Sequence, residues 1–475
     1  MPSSIPIKQP EHRDESVKLK IVIVGAGLGG LGCAIACLLA GHSVHVLESA
    51  SELGEVGAGI QVLPNSSRVL ISWGLEKALE PHMTQPRNLH FNGWKGNRLT
   101  TMDFHETAEK KYPGTWFGDF HRADLHRCLY DRVLELGGIV SCNSRVVDLR
   151  INDKDGDAAT ATAVMGDGRE ITADLIVAAD GVFSGLRDLM LGRHDPPVKT
   201  GDLAYRVLLD TKEMLKDPDL AEFVREPQVN YWLGPGAHAV NYVLRRGQLF
   251  NMVLLVPDDI PDGGKSTVDG DVEEMCSLVK GWDIRVQKVL RLCKSVQKWK
   301  LCIRLGMDQW YHPSGAWTML GDAVHATLPY LASGAGMTFE DGAVLGECLS
   351  RLPKTNTSGT SNPKSTPSFL AQKRHALAVY QACREKRTQM IVERGNRQQY
   401  LYHLHDGEEQ EERDHKLRMV PPPAGEALAW RDSDLAPILL GYNHLDDVNA
   451  HWNISSDSAN PQSAGEASEG VQSRL

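Results

Sequence analysis

The spacing of apolar positions changes twice within residues 19–48. Residues 19–24 are almost continuously apolar and largely β-branched, which is typical of a strand buried on both faces of a parallel sheet. Residues 31–39 then place apolar side chains at helical spacing up to Gly41, and residues 44–47 form another strand-like run. The pattern predicts a strand, a helix and a second strand.

The turn between the first strand and the helix has the order G-x-G-x-x-G. Gly25 permits the turn, Gly27 lets a pyrophosphate approach the backbone, and Gly30 lets the helix pack closely, with Leu28 as a further cofactor contact. The helix N-terminus favours phosphate, and Glu48 ends the second strand where a carboxylate can accept hydrogen bonds from a ribose diol. This unit predicts a dinucleotide site, and the choice between NAD and FAD stays open.

Later segments predict further strands and helices. Polar and apolar residues alternate between positions 139 and 176 around the turns Asp155-Gly156 and Asp167-Gly168, as in a hairpin. Residues 197–300 read as successive strands of a substrate-facing sheet, and residues 375–402 as a long helix.

Composition and charge exclude some classes of protein. The 475 residues allow two or three domains, and a net charge of −10 with a pI near 6.0 argues against nucleic acid as the main partner. The longest apolar runs fall short of the roughly 20 residues of a spanning helix, and the N-terminus lacks a signal-peptide core, so we expect no transmembrane segment and an intracellular protein. Nine cysteines without a C-x-x-C pair predict reduced thiols and no metal site.

Four further motifs follow Glu48 in a fixed order. They are E-x-G-A-G-I-x-x-x-P-N, which contains Gly59, H-R-x-D-L with Arg122, D-G-x-x-S-x-x-R with Asp180, and G-D with Asp322. Over residues 19–350 the chain resembles the class A FAD-dependent aromatic hydroxylases, which are flavoprotein monooxygenases, and especially their salicylate hydroxylase-like branch.

The resemblance implies cofactor contacts. It places Arg122 against the flavin phosphate and ribose, Asp180 near the pyrophosphate and a passing nicotinamide nucleotide, and Asp322 on the ribityl chain. The alternatives are a solvated surface arginine for Arg122 and a simple turn for Asp180-Gly181. Backbone amides at the start of a helix are expected to face the flavin's pyrimidine end, and they belong to Gly334, Ala335, Gly336 and Met337.

The resemblance also implies catalytic candidates. Tyr205 and Arg206 fall where related enzymes present an arginine to flavin or substrate, with a surface strand position as the alternative. His238 is a candidate base for a phenol proton, although a lone histidine on a sheet is more often structural. Pro329 lies in the predicted active-site loop. Ser333 stands where many relatives carry glutamine, so a catalytic role for that amide is unsupported.

We predict an α/β fold with a Rossmann-like FAD-binding domain, a mixed-sheet substrate domain and a helical C-terminal extension. Tyr380, Arg384 and Arg387 form a Y-x-x-x-R-x-x-R pattern that related enzymes carry near the rim of the sheet, and a solvated charged face explains it about as well. The predicted segments are a disordered arm (1–18), the FAD-binding domain (19–86, 117–196 and 301–350), the substrate domain (87–116 and 197–300), a disordered loop (353–368), the extension (369–452) and a disordered tail (453–475).

The resemblance implies an NAD(P)H-dependent monooxygenase with non-covalent FAD. NADH or NADPH would reduce the flavin, O2 would form a C4a-hydroperoxide, and a small phenol or hydroxybenzoate-like aromatic would be hydroxylated. A flavin-dependent epoxidase or oxidative tailoring enzyme acting on an olefin or indole is the alternative, followed by a non-catalytic flavin-binding sensor. An NAD-dependent dehydrogenase explains residues 19–48 only. Substrate identity, hydroxylation position, loss of a carboxylate, the choice of nicotinamide and oligomeric state stay open.

The chain ends in Ser473-Arg474-Leu475, which is close to the S-K-L address read by the peroxisomal import receptor. The preceding residues are polar and small, so the tripeptide is expected to be accessible to that receptor. We therefore predict peroxisomal import, with a cytoplasmic enzyme and an accidental ending as the alternative.

Overall fold

A computed structural model of the protein describes residues 5–54, 59–152, 159–261, 263 and 265–457. The predicted turn at Asp155-Gly156 and most of the predicted tail lie outside these residues. The strands are β1 (Lys20–Val24), β2 (Ser43–Leu47), β3 (Gly59–Val62), β4 (Asn88–Gly93), β5 (Arg98–Asp103), β6 (Gly118–His121), β7 (Ile139–Ser141), β8 (Val146–Asn152), β9 (Thr160–Met165), β10 (Glu170–Ala173), β11 (Leu175–Ala178), β12 (Val198–Asp210), β13 (Gln228–Gly234), β14 (Ala237–Leu244), β15 (Leu249–Pro257), β16 (Thr267–Gly270), β17 (Val296–Ile303) and β18 (Trp317–Met319). The helices are α1 (Leu28–Leu39), α2 (Pro64–Ser72), α3 (Glu76–Leu79), α4 (Phe104–Lys111), α5 (Arg122–Glu135), α6 (Gly185–Leu191), α7 (Thr211–Met214), α8 (Pro218–Arg225), α9 (Val272–Leu278), α10 (Ile284–Arg291), α11 (Asp322–His325), α12 (Gly334–Ser350), α13 (Pro367–Tyr402), α14 (Glu408–Arg418), α15 (Leu435–Leu440) and α16 (His444–Asp457).

A five-stranded parallel sheet has the order β18-β11-β1-β2-β7. Its central strand β1 is buried at four of its five residues, as the continuous apolar run predicts. Because all five strands run in the same direction, their carboxyl ends share one edge, where ligands of such sheets bind. The α/β class and the Rossmann-like part of the predicted fold are confirmed.

A second, mixed sheet has eight strands in the order β16-β17-β12-β15-β14-β13-β4-β5. All its pairs are antiparallel except β13 with β4. Alternate residues of each strand point to opposite faces. One face packs on α8, α9 and α10, while the other packs on the residues before α12 and on α13 and α14. Strands β8, β9 and β10 form a separate three-stranded antiparallel sheet.

Helix α12 packs closely on α1. A Cβ atom added at Gly346 would lie 2.6 Å from the Cβ of Ala36, and one added at Gly342 would lie 2.9 Å from the backbone nitrogen of Cys33. Only glycine at both positions permits this distance between the helices. Helix α13 then covers the other side of α12.

Buried ion pairs join α12 to α13. Arg384 Nε donates to Asp341 Oδ1 at 2.8 Å, and Arg387 Nε donates to Glu340 Oε2 at 2.8 Å. Burial alone would raise the pKa of Asp341, but His325 and Arg384 lower it to about 2. The two arginines therefore belong to the interior, and the alternative of a solvated charged face is wrong.

The N-terminal arm differs from the prediction of disorder. The backbone nitrogens of Lys8 and Glu11 donate to the carbonyls of Ser72 at the end of α2 and Leu39 at the end of α1, and Val17 is buried. Arg13 is 4% exposed, and its guanidinium donates to the carbonyls of Ala40, Leu349 and Ser350. The buried guanidinium finds several carbonyl acceptors at once, which fixes a segment whose composition alone resembles a disordered one.

Two more segments are ordered where disorder is predicted. In the loop 353–368, Pro363 is buried and Lys364 Nζ lies 2.7 Å from Asp174 Oδ2. Helix α16 extends five residues into the predicted tail before the described chain ends at residue 457. In the part of the chain that the structure describes, no helix is both long and apolar enough to cross a membrane.

We expect Arg384→Met to destabilise the protein by about 3–5 kcal/mol, because it leaves the buried Asp341 without its guanidinium and Glu340 with Arg387 alone. Urea unfolding of the variant measures this loss. Arg374→Met is the matched control, since Arg374 is exposed on the same helix, and it should change the free energy of unfolding by under ~0.5 kcal/mol. Equal losses in both variants would contradict a stabilising role for the buried pairs.

Candidate active site

A cleft lies between the carboxyl edge of the parallel sheet and one face of the eight-stranded sheet. The first side contributes turns and helix starts, and the second contributes side chains from neighbouring strands. The parallel-sheet side is lined by Gly27, Leu28, Gly29, Arg122, Ala179, Gly181, Leu320, Gly321, Asp322, Gly334, Ala335 and Thr338. The other side includes Ala204, Arg206, Tyr231, His238, Val240, Tyr242, Val253, Leu255 and Leu301.

The glycine turn has the geometry that a pyrophosphate needs. Gly25 has φ +107°, and a Cβ atom there would lie 2.4 Å from the carbonyl oxygen of Ala179. A Cβ atom at Gly30 would lie 1.9 Å from the Gly25 carbonyl oxygen, so both positions require glycine. A Cβ atom at Gly27 would meet nothing within 4 Å, because this residue faces the open cleft at the start of α1.

Glu48 holds this turn from the end of β2. Its carboxylate accepts hydrogen bonds from the backbone nitrogens of Ala26 and Ala50, each at 2.8 Å. Burial raises the pKa of Glu48, but these hydrogen bonds outweigh it and leave the pKa below its ordinary value. A charged acceptor therefore stands beside the turn, and the ribose contact predicted for it stays a prediction.

Arg122 and Asp322 line the cleft from two different helix starts, those of α5 and α11. The turn before Asp322 is held from behind, because the backbone nitrogen of Gly321 donates to Asp341 Oδ2 at 2.9 Å. Gly321 has φ +66°, which favours glycine. A guanidinium and a carboxylate thus face the same cleft as the glycine turn.

Asp180 shapes the turn after β11. Its carboxylate accepts hydrogen bonds from Ser184 Oγ at 2.6 Å and from the backbone nitrogen of Leu186 at 3.3 Å. Burial raises the pKa of Asp180. Its neighbours Ala179 and Gly181 line the cleft, whereas a direct cofactor contact by the Asp180 side chain stays a prediction.

Some of the residues predicted as cofactor contacts before and at the start of α12 line the cleft, and others pack elsewhere. Pro329, Gly334 and Ala335 line the cleft. Gly336 instead allows α12 to approach α2, since a Cβ atom there would lie 2.4 Å from Ser66 Oγ. Met337 is buried beside the loop, and its backbone nitrogen donates to the Ser333 carbonyl at 2.8 Å.

Strand β12 presents Arg206, and not Tyr205, to the cleft. The Arg206 guanidinium carbon lies 4.0 Å from the centre of the Trp299 ring, a cation–π distance. Tyr205 points to the opposite face, where its hydroxyl donates to Glu274 Oε1 at 3.0 Å. The prediction of a catalytic Tyr205 is wrong, because adjacent strand residues face opposite sides of a sheet.

His238 lies on the same face of the sheet as Arg206. Its Nδ1 is 2.7 Å from His403 Nε2, and it packs edge-on against the rings of Tyr330 and Tyr402. Burial, followed by the effect of His403, lowers the pKa of His238 well below its usual range. The imidazole is therefore neutral at neutral pH, and Nε2 has no hydrogen-bond partner among the residues that the structure describes.

Several lining residues were missed from the sequence. Tyr231 and Tyr242 form aromatic walls. Gln61, two residues after Gly59 on β3, also lines the cleft and donates to Asp119 at 3.1 Å. The sequence of β14 contains a signal for these residues, because His238, Val240 and Tyr242 are every second residue and so share one face of the strand. Only the position of β14 within the sheet shows that this face is the cleft.

Comparison with known proteins identifies the family. Residues 18–359 match the family described as "FAD binding domain". The chain is 37% identical over 433 residues to the FAD-dependent monooxygenase OpS4 of Beauveria bassiana (strain ARSEF 2860), covering 90% of this chain and 96% of that protein. The chain belongs to the FAD-dependent monooxygenases.

Two further comparisons agree with this assignment. The 3-hydroxybenzoate 6-hydroxylase of Polaromonas naphthalenivorans (strain CJ2) is 30% identical over 418 residues, covering 88% of this chain and 96% of that protein. A solved structure titled "Salicylate hydroxylase substrate complex" has the same fold, with a TM-score of 0.71 at 21% identity, over 92% of this chain and 98% of that one. The resemblance to class A aromatic hydroxylases is confirmed.

The cleft fits the FAD of this flavoprotein family. Gly27 and the start of α1 offer an open surface with backbone amides for a pyrophosphate, and the guanidinium of Arg122 supplies positive charge. Asp322 offers a carboxylate to the hydroxyls of the ribityl chain. The start of α12 at Gly334 and Ala335 favours negative charge on the far side of the same cleft.

We expect Asp322→Ala to weaken FAD binding by roughly tenfold to a hundredfold, because a charge-assisted hydrogen bond to the ribityl chain contributes about 1.5–3 kcal/mol. Flavin content after gel filtration and titration of the apoprotein with FAD measure this change. Full FAD occupancy in the variant would place Asp322 outside the cofactor site.

We expect Arg206→Ala to lower kcat/KM by roughly tenfold to a hundredfold with unchanged FAD content, because it removes a charged hydrogen-bond donor from the cleft. Tyr205→Phe is the matched control, since Tyr205 is the adjacent residue on the opposite face. Steady-state kinetics on both variants give the comparison. Equal kcat/KM values in Arg206→Ala and in the unsubstituted enzyme would return Arg206 to a structural role.

Proposed function

We propose that this flavoenzyme hydroxylates a small phenol or hydroxybenzoate-like substrate, using O2 and either NADH or NADPH. One observation carries this proposal: a guanidinium, Arg206, and a neutral buried imidazole, His238, face the flavin cleft from the same side of one sheet. A carboxylate and a phenol hydroxyl are the groups that these two side chains recognise. A relative that shares 30% identity is named a 3-hydroxybenzoate 6-hydroxylase, which supports the same class.

The sheet sets the distance between these two groups. Arg206 pairs with Val253 on β15, and Leu255, two residues further along, pairs with His238 on β14. Two strand spacings and a two-residue offset place the Cα atoms of Arg206 and His238 about 12 Å apart. Their side chains extend into the cleft, so a single aromatic ring fits between a carboxylate at Arg206 and a hydroxyl at His238.

Each protein group then has a defined task. Arg206 orients the substrate through its carboxylate, while Tyr231 and Tyr242 hold the ring between apolar and aromatic walls. His238 Nε2 accepts the phenol proton, which makes the ring richer in electrons where oxygen is to be added. Bound FAD supplies the electron transfer and oxygen activation, and we infer that it is held without a covalent bond.

A substrate panel tests this function. The purified holoenzyme is supplied with NADH or NADPH and with phenol, salicylate, 3-hydroxybenzoate, 4-hydroxybenzoate, indole or an olefin, and hydroxylated product is measured beside peroxide-corrected nicotinamide oxidation. Product from a phenolic acid supports the proposal. Product from indole or the olefin alone would assign an epoxidase or oxidative tailoring enzyme. Flavin without any oxygen-dependent product would assign a sensor. Acid precipitation should release the flavin into the supernatant.

We further propose import into peroxisomes through Ser473-Arg474-Leu475, which lie outside the described residues. The support is the sequence alone, a small-basic-leucine ending after a polar stretch. Residues 453–475 fused to a fluorescent protein should produce punctate fluorescence that coincides with a peroxisomal marker. A fusion that lacks the last three residues is the control, and the same diffuse signal from both fusions would reject the address.

A further inference from the structure

His238 begins a row of polar side chains that leads away from the cleft through His403 to Asp202, and Tyr330, which itself lines the cleft, bonds to the far end of this row. His238 Nδ1 lies 2.7 Å from His403 Nε2, and His403 Nδ1 lies 3.6 Å from Asp202 Oδ2. The hydroxyl of Tyr330 donates to the same oxygen of Asp202. His403 therefore has a polar partner at each ring nitrogen. Its Nε2 faces His238, and its Nδ1 faces the carboxylate of Asp202.

The backbone fixes this arrangement. His403 follows the last residue of α13, and its carbonyl accepts a hydrogen bond of 2.9 Å from the nitrogen of Gly236, in the turn between β13 and β14. His238 is the second residue of β14, directly after that turn. The end of α13 and the start of β14 therefore hold the two imidazoles together.

His403 also reaches the molecular surface. Its side chain is 12% exposed, compared with 1% for His238 as a whole residue. It lines a second recess, separate from the flavin cleft, in which acidic side chains predominate over basic ones. The recess is lined by Gln399, Tyr400, His403, Leu404, His405, Asp406, Gly407, Glu408 and Glu409. The negative charge of this recess favours the movement of a proton into it from the protein interior.

We propose that His403, positioned by Asp202, is the outlet through which the phenol proton taken up by His238 reaches solvent in this second recess. The inference rests on the proposed function, because it requires a substrate with an ionisable hydroxyl. It assigns His403 and Asp202 as positioning and proton-carrying residues, since neither of them lines the flavin cleft.

The proton count balances without any change of electrons. The substrate O–H bond breaks as an Nε2–H bond forms on His238. The Nδ1–H bond of His238 breaks as an Nε2–H bond forms on His403, and His403 then gives its Nδ1 proton to water. The same path run backwards restores both tautomers when the product phenol takes up a proton.

The surroundings of His238 favour passing the proton on. The rings packed against it are those of Tyr231, Tyr330, Tyr402 and His403, and besides burial only His403 affects its pKa. Burial accordingly lowers the pKa of His238, whereas at His403 the neighbouring Asp202 opposes the same effect of burial. A proton gains a carboxylate neighbour by moving from His238 to His403.

The test separates proton transfer from structural support. Oxidised holoenzyme is mixed with 3-hydroxybenzoate, without nicotinamide, in weakly buffered solution that contains a pH indicator, and proton release is followed by stopped flow. Ligand binding is followed in parallel through the flavin spectrum. 3-Methoxybenzoate, which has no ionisable phenol, should bind without releasing a proton.

In the unsubstituted enzyme we expect a proton to be released as the phenol binds. His403→Gln keeps a hydrogen-bonding group beside His238 but cannot carry a proton, so release should slow by at least about tenfold at unchanged ligand affinity. His405→Gln is the matched control, because His405 lines the same recess outside the relay. Imidazole added to His403→Ala should restore the release rate.

The outcomes are distinct. An equal release rate in His403→Gln and the unsubstituted enzyme overturns the relay, and so does equal slowing in His405→Gln. Binding of the phenol without proton release in the unsubstituted enzyme also overturns it. These results leave the proposed hydroxylase intact if the substrate panel yields product, whereas the absence of product from every phenol rejects the proposed function and the relay together.

Discussion

The buried charges between α12 and α13 are the constraint on which the cofactor side of the cleft depends. Glu340 and Asp341 are fully buried, so they require partners, and Arg384 and Arg387 supply them. Asp341 has a second task, because the same carboxylate lies 2.6 Å from His325 Nε2 and accepts the hydrogen bond from the Gly321 nitrogen. The position of the turn at Gly321 and Asp322, which lines the cleft, is therefore tied to an ion pair made behind it.

The substrate side is set by a different constraint, the alternation of residues along the strands of the eight-stranded sheet. Because paired residues of neighbouring strands face the same side, Ala204, Leu255 and His238 form one row across the cleft face, and Arg206, Val253 and Val240 form the next. The sequence thus places its cation and its imidazole in neighbouring rows with apolar residues between them. The cleft face therefore carries two polar groups that are separated by apolar residues.

The sequence predicts local features far better than distant pairings. The glycine turn can be recognised from six consecutive residues, because the spacing of its glycines is itself the signal. Of the contacts that require glycine there, the one at Gly30 is with the nearby Gly25 carbonyl, whereas the one at Gly25 is with the distant Ala179 carbonyl. Arg13 and Arg384 are different, because their acceptors lie far along the chain, and composition alone assigns such arginines to solvent or to disorder. Whether Tyr205 or Arg206 points into the cleft depends on which face of the strand lines it. Only the packing of the whole sheet determines that face.

Helix α13 connects these constraints. From Arg384, which pairs with Asp341 behind that turn, to His403, which touches the imidazole of the substrate side, the chain advances about 28 Å at the helical rise. Between them, Gly395 lets the helix approach the cleft loop, since a Cβ atom there would lie 3.1 Å from Thr327 Oγ1. Helix α13, which the sequence predicts as part of a C-terminal extension, thus contacts Asp341 behind one side of the cleft, and His403 directly after it contacts His238 on the other side. A rigid body that spans both can keep flavin and aromatic ring in register, which oxygen transfer between two separately bound molecules requires.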